Sequence, residues 1–341
     1  MVTINKTRTK PDLTLSNLIG DFLLSRQHLQ PLTIRFYQKY LNNFRWYAQK
    51  NGWPLEAGEI TRKHIEAFLS YLSTEKDRWG YSDPSRSSSR YASPGTVHNY
   101  GRVLKVLFNW AGEEEYLDHN PTLRMRLGSP HYKEVEPYTD KDVYAMFQLC
   151  GEDARFHCQY TGLRNKAIIS LFVATGLRLS ELAEIRLSEL DPGLKQVRVM
   201  GKGAKLRVVP IGGEARKALK HYLEIRPRDG DELWKNADGL ELTARGIQMV
   251  VKRLKERAKV EGGGGPHRFR HYFATRYLEN GGDLNTLQLL MGHATLDMVL
   301  KYSRCVDIQK ALVGHQQFNP LDRLLKGDNH NRGDDKWGWR H

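Results

Sequence analysis

The stretch HNPTLRMRLGSPHYKEVEPYT, residues 119–139, constrains the fold of this chain more than any other. Its three prolines and scarce large apolar residues suit neither a continuous helix nor a central strand. A chain of 341 residues also exceeds what one hydrophobic core usually supports. The break therefore predicts two domains joined by an extended connection, with the boundary near 130–138. Thr139, followed by Asp140 and Asp142, marks a helix start with carboxylates against the positive end of the helix dipole.

Ahead of the break the apolar periodicity is helical. Ile34, Tyr37, Leu41, Phe44 and Ala48 recur at three- and four-residue spacing, which predicts a helix opening near Pro31 and stopping before Gly52. Arg35, Lys39, Asn42 and Arg45 fall away from that stripe. A second stripe runs through Val97, Tyr100, Leu104, Leu107 and Ala111, with His98, Arg102 and Lys105 on another side. The Ser-, Pro- and Gly-dense segment 80–95 reads as a loop leading into a helix that Ser93 or Thr96 can cap. Either basic face alone reads as solvated charge. Two of them in a basic chain point to contact with a DNA backbone through Arg35, Lys39, Arg102 and Lys105.

Behind the break, KDVYAMFQLC (141–150) and RNKAIISLFVATG (164–176) carry helical signals. QVRVM (196–200) and KLRVVP (205–210) are rich in β-branched residues and joined by GKGA, which predicts a β-hairpin. Helices resume at ARKALKHYLEI, at TARGIQMVVKRLKERAKV and after Pro266. The glycine run 262–265 lacks the Lys-Ser of a phosphate-binding loop and reads as a hinge before that last helix. The expected fold class is mainly α with a small antiparallel β-sheet, an α+β arrangement in its second domain.

The formal net charge of +14 and pI near 9.6 call for a polyanionic partner, nucleic acid or an anionic membrane surface. Residues 1–137 hold 19 Lys/Arg against 14 Asp/Glu and the remainder 34 against 25, so both domains should face that partner. No apolar run is long enough to span a bilayer, and MVTINKTRTKPD lacks the apolar core of a secretion signal. A cytoplasmic protein without membrane attachment is expected, associated with the nucleoid when bound to DNA. Cys150, Cys158 and Cys305 lack metal-ligand spacing and suit neither a zinc site nor a disulfide scaffold.

Five short contexts in the second half carry the candidate chemistry. They are ATGLRLSEL (174–182), GKGAK (201–205), HRFRH (267–271), LLMGH (289–293) and KYSR (301–304). Each polar residue alone has a plainer reading: Arg178 as an ion-pair partner of Glu181 or Glu184, Lys202 as a turn lysine, Tyr302 as a helix residue. Together they form a set for phosphoryl transfer. Displacing an oxygen from a phosphodiester concentrates negative charge on the equatorial oxygens of five-coordinate phosphorus. Arg178 and Arg270 supply planar cationic forks for those oxygens. His267, three residues before Arg270, lies on the same helix face and can donate to phosphate or relay a proton. His293 adds a donor, Tyr302 supplies a phenol nucleophile, and Lys202 can protonate the departing 5′ oxygen. Glu181 is placed to orient the site. Lys205 and Arg207 stay open between phosphate contacts and solvated hairpin charges.

This ordered set resembles the tyrosine recombinase family of phage-integrase and Xer type. The family has an Arg in ATGLRxSEL, a Lys in the GKG turn of a hairpin, an HxLRH helix, an LxGH element and a Tyr close behind. Arg178, Lys202, His267 with Arg270, His293 and Tyr302 fall on those places, and Phe269 stands where Leu is usual. The resemblance is specific over 165–305 and architectural over 11–120. It implies a two-domain clamp: a helical, SAM-like core-binding domain at 11–120, a linker at 121–137 and a catalytic domain at 138–325; the polar, Gly-containing end, 326–341, reads as a disordered tail. It further implies cleavage and rejoining of DNA through a 3′-phosphotyrosyl intermediate, with no metal, cofactor or ATP. The implied partners are double-stranded DNA with inverted half-sites and further copies of the chain, assembled as a DNA-bound tetramer through segment 305–325. A topoisomerase IB-like strand-cleaving enzyme and a non-catalytic DNA-binding relative are the alternatives.

Overall fold

Four apolar stripes that need a common interior build the first half of the protein. A computed structural model describes residues 13–54, 56–76, 78–79, 91–128, 136–201 and 206–292. The chain divides into two units, residues 1–134 and 135–341.

In the first unit α1 (Leu15–Ser25), α2 (Pro31–Lys50), α3 (Arg62–Thr74) and α4 (Pro94–Glu113) surround one core. The α2 stripe is buried at Leu41, Phe44 and Ala48 and half-buried at Ile34 and Tyr37. Ser93 caps α4, its hydroxyl accepting from the Thr96 amide at 3.2 Å, and Pro94 occupies the first turn, where its missing N–H costs nothing. Aromatic rings fill the centre edge to face: Phe22 on Trp110 at 5.4 Å, Phe44 on Phe68 at 5.1 Å and Phe68 on Tyr100 at 5.4 Å. Such pairs add roughly 0.5–1.5 kcal/mol each beyond the area they bury. Residues 121–128, expected from sequence to begin the linker, pack onto this unit. Met125 lies in its core, the Met125 carbonyl accepts from Lys105 Nζ at 3.1 Å, and His98 Nδ1 meets the Gly128 carbonyl at 2.9 Å.

The second unit is organised around one buried helix. It opens with α5 (Asp140–Glu152), whose N-terminus carries a reciprocal cap: the Thr139 hydroxyl accepts from the Asp142 amide at 3.1 Å, and Asp142 accepts from the Thr139 amide at 3.0 Å. α6 (Gln159–Thr175) buries Ala167, Ile168, Ile169, Leu171 and Phe172 on successive faces. Its second half is apolar on nearly every face, and such a stretch belongs inside its domain. Around it stand α7 (Leu179–Ala183), the strands β1 (Gln196–Met200) and β2 (Leu206–Pro210), α8 (Gly213–Ile225), α9 (Ala244–Arg257), α10 (His267–Glu279) and α11 (Leu284–Met291).

The strands pair antiparallel with Val197 opposite Val209 and Val199 opposite Arg207. Between α5 and α6 lies a π-helical turn, Asp153–His157, for which the sequence offered no signal. It is pinned by Arg257, which donates to both Asp153 carboxylate oxygens at 2.7 Å and holds that carboxyl below its usual range. α10 starts at His267, one residue after the Pro266 expected to initiate it. The described residues thus form a mainly helical protein with a two-stranded antiparallel sheet. Among them no helix is long and apolar enough to cross a membrane.

Candidate active site

The site starts where α6 ends. Gly176 closes that helix in the left-handed region at φ 61°, and a Cβ there would lie 2.4 Å from the Phe273 ring. Only glycine meets both demands. The turn delivers Arg178 to the position before α7. There the Arg178 amide donates to Glu181 Oε2 at 2.8 Å and its Nη1 donates to Glu181 Oε1 at 2.7 Å.

Glu181 is 3% exposed at its side chain and serves a second guanidinium. Arg207 on β2 donates Nη1 to Oε1 at 3.0 Å and Nη2 to Oε2 at 2.8 Å, a bidentate fork, while its Nε reaches the Leu290 carbonyl at 3.1 Å. Burial by itself would raise the Glu181 pKa. The hydrogen bonds from Arg207 and Arg178, with the Arg207 charge, outweigh it and hold the group at about 2.

Arg270 arrives from α10 and is buried. Its Nη1 donates to the Gly176 carbonyl and its Nη2 to the Met291 carbonyl, both at 2.7 Å. These acceptors stand at the C-terminal ends of α6 and α11, where unpaired carbonyls and helix dipole favour a cation. α11 ends at Gly292, also left-handed at φ 61°, where a Cβ would lie 3.0 Å from Arg207 Nη1. The Gly292 carbonyl lies 3.5 Å from Arg178 Nη2. Two guanidinium groups from distant segments therefore sit on consecutive carbonyls, those of Met291 and Gly292.

His267 stands one turn before Arg270 and is exposed. Its pKa is lowered from 6.5, first because the surrounding protein strips water from the ring and then because the Arg270 and Arg178 charges oppose protonation. Its neutral form is thereby favoured near neutral pH.

The fold brings Arg178, His267, Arg270 and Glu181 together. Lys202, Lys205, His293 and Tyr302 lie outside the described residues, as do segments 305–325 and 326–341. Of the residues read as DNA contacts, Arg35, Lys39 and Arg102 are exposed, whereas Lys105 is half-buried and bonded to the Met125 carbonyl. Arg207 is the exception on the hairpin. At 13% exposure, with its guanidinium nitrogens on Glu181 and Leu290, it is an internal brace rather than a solvated charge. Strand alternation carried that signal: Arg207 shares the inner face with Val209, while Leu206 and Val208 look outward.

Residues 139–307 match the phage integrase family, and residues 14–126 match the phage integrase SAM-like domain. Tyrosine recombinase XerC of Shewanella amazonensis is 31% identical over 315 residues, which cover 90% of this chain and 96% of that protein. The chain belongs to the phage integrase family of tyrosine recombinases. Tyrosine recombinase XerD of Listeria innocua is 26% identical over 316 residues, 90% of this chain and 99% of its own. Among solved structures, the XerH site-specific recombinase bound to a palindromic difH substrate has a TM-score of 0.67 at 21% identity, covering 89% of this chain and 84% of that one. A lambda integrase dimer bound to a COC' core site has 0.65 at 19%, covering 85% and 77%. These structures share the fold. The reaction class of this tyrosine recombinase is site-specific DNA recombination.

Proposed function

We propose that this recombinase cleaves and rejoins DNA strands through a 3′-phosphotyrosyl intermediate, with Tyr302 as nucleophile and Arg178, Lys202, His267, Arg270 and His293 as the catalytic set. The observation that carries the reading is the pair of guanidinium groups, Arg178 and Arg270, anchored on the consecutive carbonyls of Gly292 and Met291. Fixing two cations on backbone acceptors before substrate arrives is what stabilising a charged phosphorane requires, since no reorganisation is then spent during the step.

The Tyr302 oxygen forms a bond to phosphorus as the bond to the 5′ oxygen breaks. His267, favoured as the neutral imidazole, takes the phenol proton, and the departing 5′ oxygen takes a proton from Lys202. Arg178, Arg270 and His293 hold the non-bridging oxygens. One phosphodiester replaces another, so a 5′ hydroxyl of the same or another strand reverses the step without ATP, and no metal is called for. Glu181 orients Arg178 and is itself held by Arg207. Lys205 remains a proposed contact of the hairpin with phosphate.

The DNA is bound as inverted half-sites by both units, with Arg35, Lys39 and Arg102 on its backbone. Segment 305–325 docks on a neighbouring copy to build a tetramer on DNA, acting in the cytoplasm at the nucleoid. The domain bounds we propose are 11–120 for core binding, 121–137 for the linker, whose residues 121–128 lie packed on the core-binding unit, 138–325 for catalysis and 326–341 for the tail. The test is incubation of purified protein with labelled, nicked fragments from around its own gene, without metal or ATP, followed by denaturing electrophoresis. A covalent band with wild type that Tyr302→Phe and Arg178→Ala abolish is expected. Specific binding with no adduct under any condition overturns the catalytic reading in favour of a DNA-binding relative.

A further inference from the structure

Arg268 lies between His267 and Arg270 and takes no part in the reaction as proposed, yet it is 5% exposed. Its Nε donates to the Glu136 carbonyl at 2.8 Å, its Nη2 to the Pro137 carbonyl at 3.1 Å and its Nη1 to the Glu261 carbonyl at 3.0 Å. The guanidinium covers the Tyr138 ring at 4.2 Å. Tyr138 in turn packs on Phe269 at 4.5 Å and donates its hydroxyl to the Gly265 carbonyl at 3.4 Å. Phe269 stacks on Phe172 of α6 at 5.6 Å with the planes 6° apart. Lys255 of α9 donates to the carbonyls of Gly262 and Gly264 in the approach to α10.

Stability alone is a poor reason for this arrangement. A cation taken out of water against three neutral carbonyls must offset its desolvation, and a well-packed apolar side chain often does as well or better. What the guanidinium supplies is direction: three donors in a rigid plane, reaching two separate backbone segments at once. α10 needs such a constraint because its first turn has no side-chain cap at Pro266 and follows a glycine run. The first and fourth residues of that helix are His267 and Arg270.

Resting on the reading that His267 and Arg270 act on the phosphate, we propose that Arg268 is a positioning residue for strand cleavage. By tying the first turn of α10 to the carbonyls of Glu136, Pro137 and Glu261, it sets where His267 and Arg270 stand. Lysine at this place keeps the charge and the contact with the ring but cannot hold three acceptors in one plane.

The experiment uses the full chain and nicked duplexes carrying a site recovered from random-sequence DNA by binding to the wild-type protein. Cleavage by Arg268→Lys at saturating protein is expected to slow by about tenfold or more, since displacements near 1 Å cost on that order or beyond. Its half-site Kd should stay within about twofold, and the acid limb of its rate–pH profile should move because the His267 ring shifts relative to its charged neighbours. Wild-type cleavage by Arg268→Lys overturns the proposal. So does a loss of rate matched by an equal loss of binding. If Arg268→Lys does not fold, Tyr138→Leu, which keeps apolar volume under the helix, should show the same selective loss of rate, and its absence is equally fatal. Arg270→Ala runs alongside. A normal adduct from that protein removes the catalytic reading itself, whereas a dead Arg270→Ala beside a normal Arg268→Lys removes only the positioning role.

Discussion

In the first unit Arg35, Lys39 and Arg102 stand in solvent on α2 and α4, above a core of edge-to-face aromatic rings that needs none of them. In the second, Arg178, Arg207, Arg268 and Arg270 are drawn inward, and each donates to a named carboxylate or carbonyl. Under the proposed function the same residue type serves two purposes. Exposed cations attract a polyanion over many geometries and leave the fold indifferent to their loss. Tethered ones act at one geometry, and the fold depends on their partners. A protein that must grip any phosphate backbone but cut at one phosphorus has use for both kinds.

The sharpest way to break this comparison is Arg270→Ala. It removes a cation held by two carbonyls, and its adduct rate should fall by about 10²–10³ with duplex affinity nearly unchanged in a gel-shift titration. A parallel loss of affinity would make Arg270 a binding residue like those of the first unit.

Glu181→Gln comes next. The Glu181 carboxyl has an ordinary pKa of 4.5 and is held at about 2 in the fold. A depressed carboxylate stabilises fully above its unfolded value and loses that contribution as pH falls through the folded one. The stability gap between wild type and Glu181→Gln should therefore be on the order of 3 kcal/mol at neutral pH and close between pH 4.5 and about 2. Denaturant titrations at several pH values measure it, and a gap that ignores pH would trace the loss to shape instead of charge.

A smaller effect is expected from Gly176→Ala, which places a side chain at φ 61° and against the Phe273 ring. It should destabilise the second unit by roughly 1–3 kcal/mol, read as a lowered thermal midpoint. The smallest belongs to the first unit. Arg35→Ala with Lys39→Ala should shift stability by less than about 0.5 kcal/mol. The log–log salt slope of DNA binding should flatten by about 0.9 for each phosphate that is no longer neutralised. An unchanged slope would return those residues to plain solvation.

How far each region was legible in the sequence follows the same division. α2 could be read almost to its ends, because one stripe from Ile34 to Ala48 and the punctuation of Pro31 and Gly52 bracket Pro31–Lys50. The Ser93 and Thr139 caps and strand Gln196–Met200 were equally open, since local rules fix them within a few residues. The π-turn Asp153–His157 was not, because its anchor, Arg257, lies 104 residues away. The polar site residues could be named from their contexts, but their partners could not. The acceptors of Arg268 and Arg270 are backbone carbonyls, which every residue possesses and no composition reveals. Arg207 is a different case: its charge suggests solvent, and only its strand face tells that it points inward.

Arg270 joins the ends of two helices, α6 and α11, that are separated by more than a hundred residues of chain. Each acceptor lies at the point where its helix gives way to a left-handed glycine, Gly176 or Gly292. Arg270 is thus a clasp between two helix ends, and displacing either end removes one of its two carbonyl acceptors.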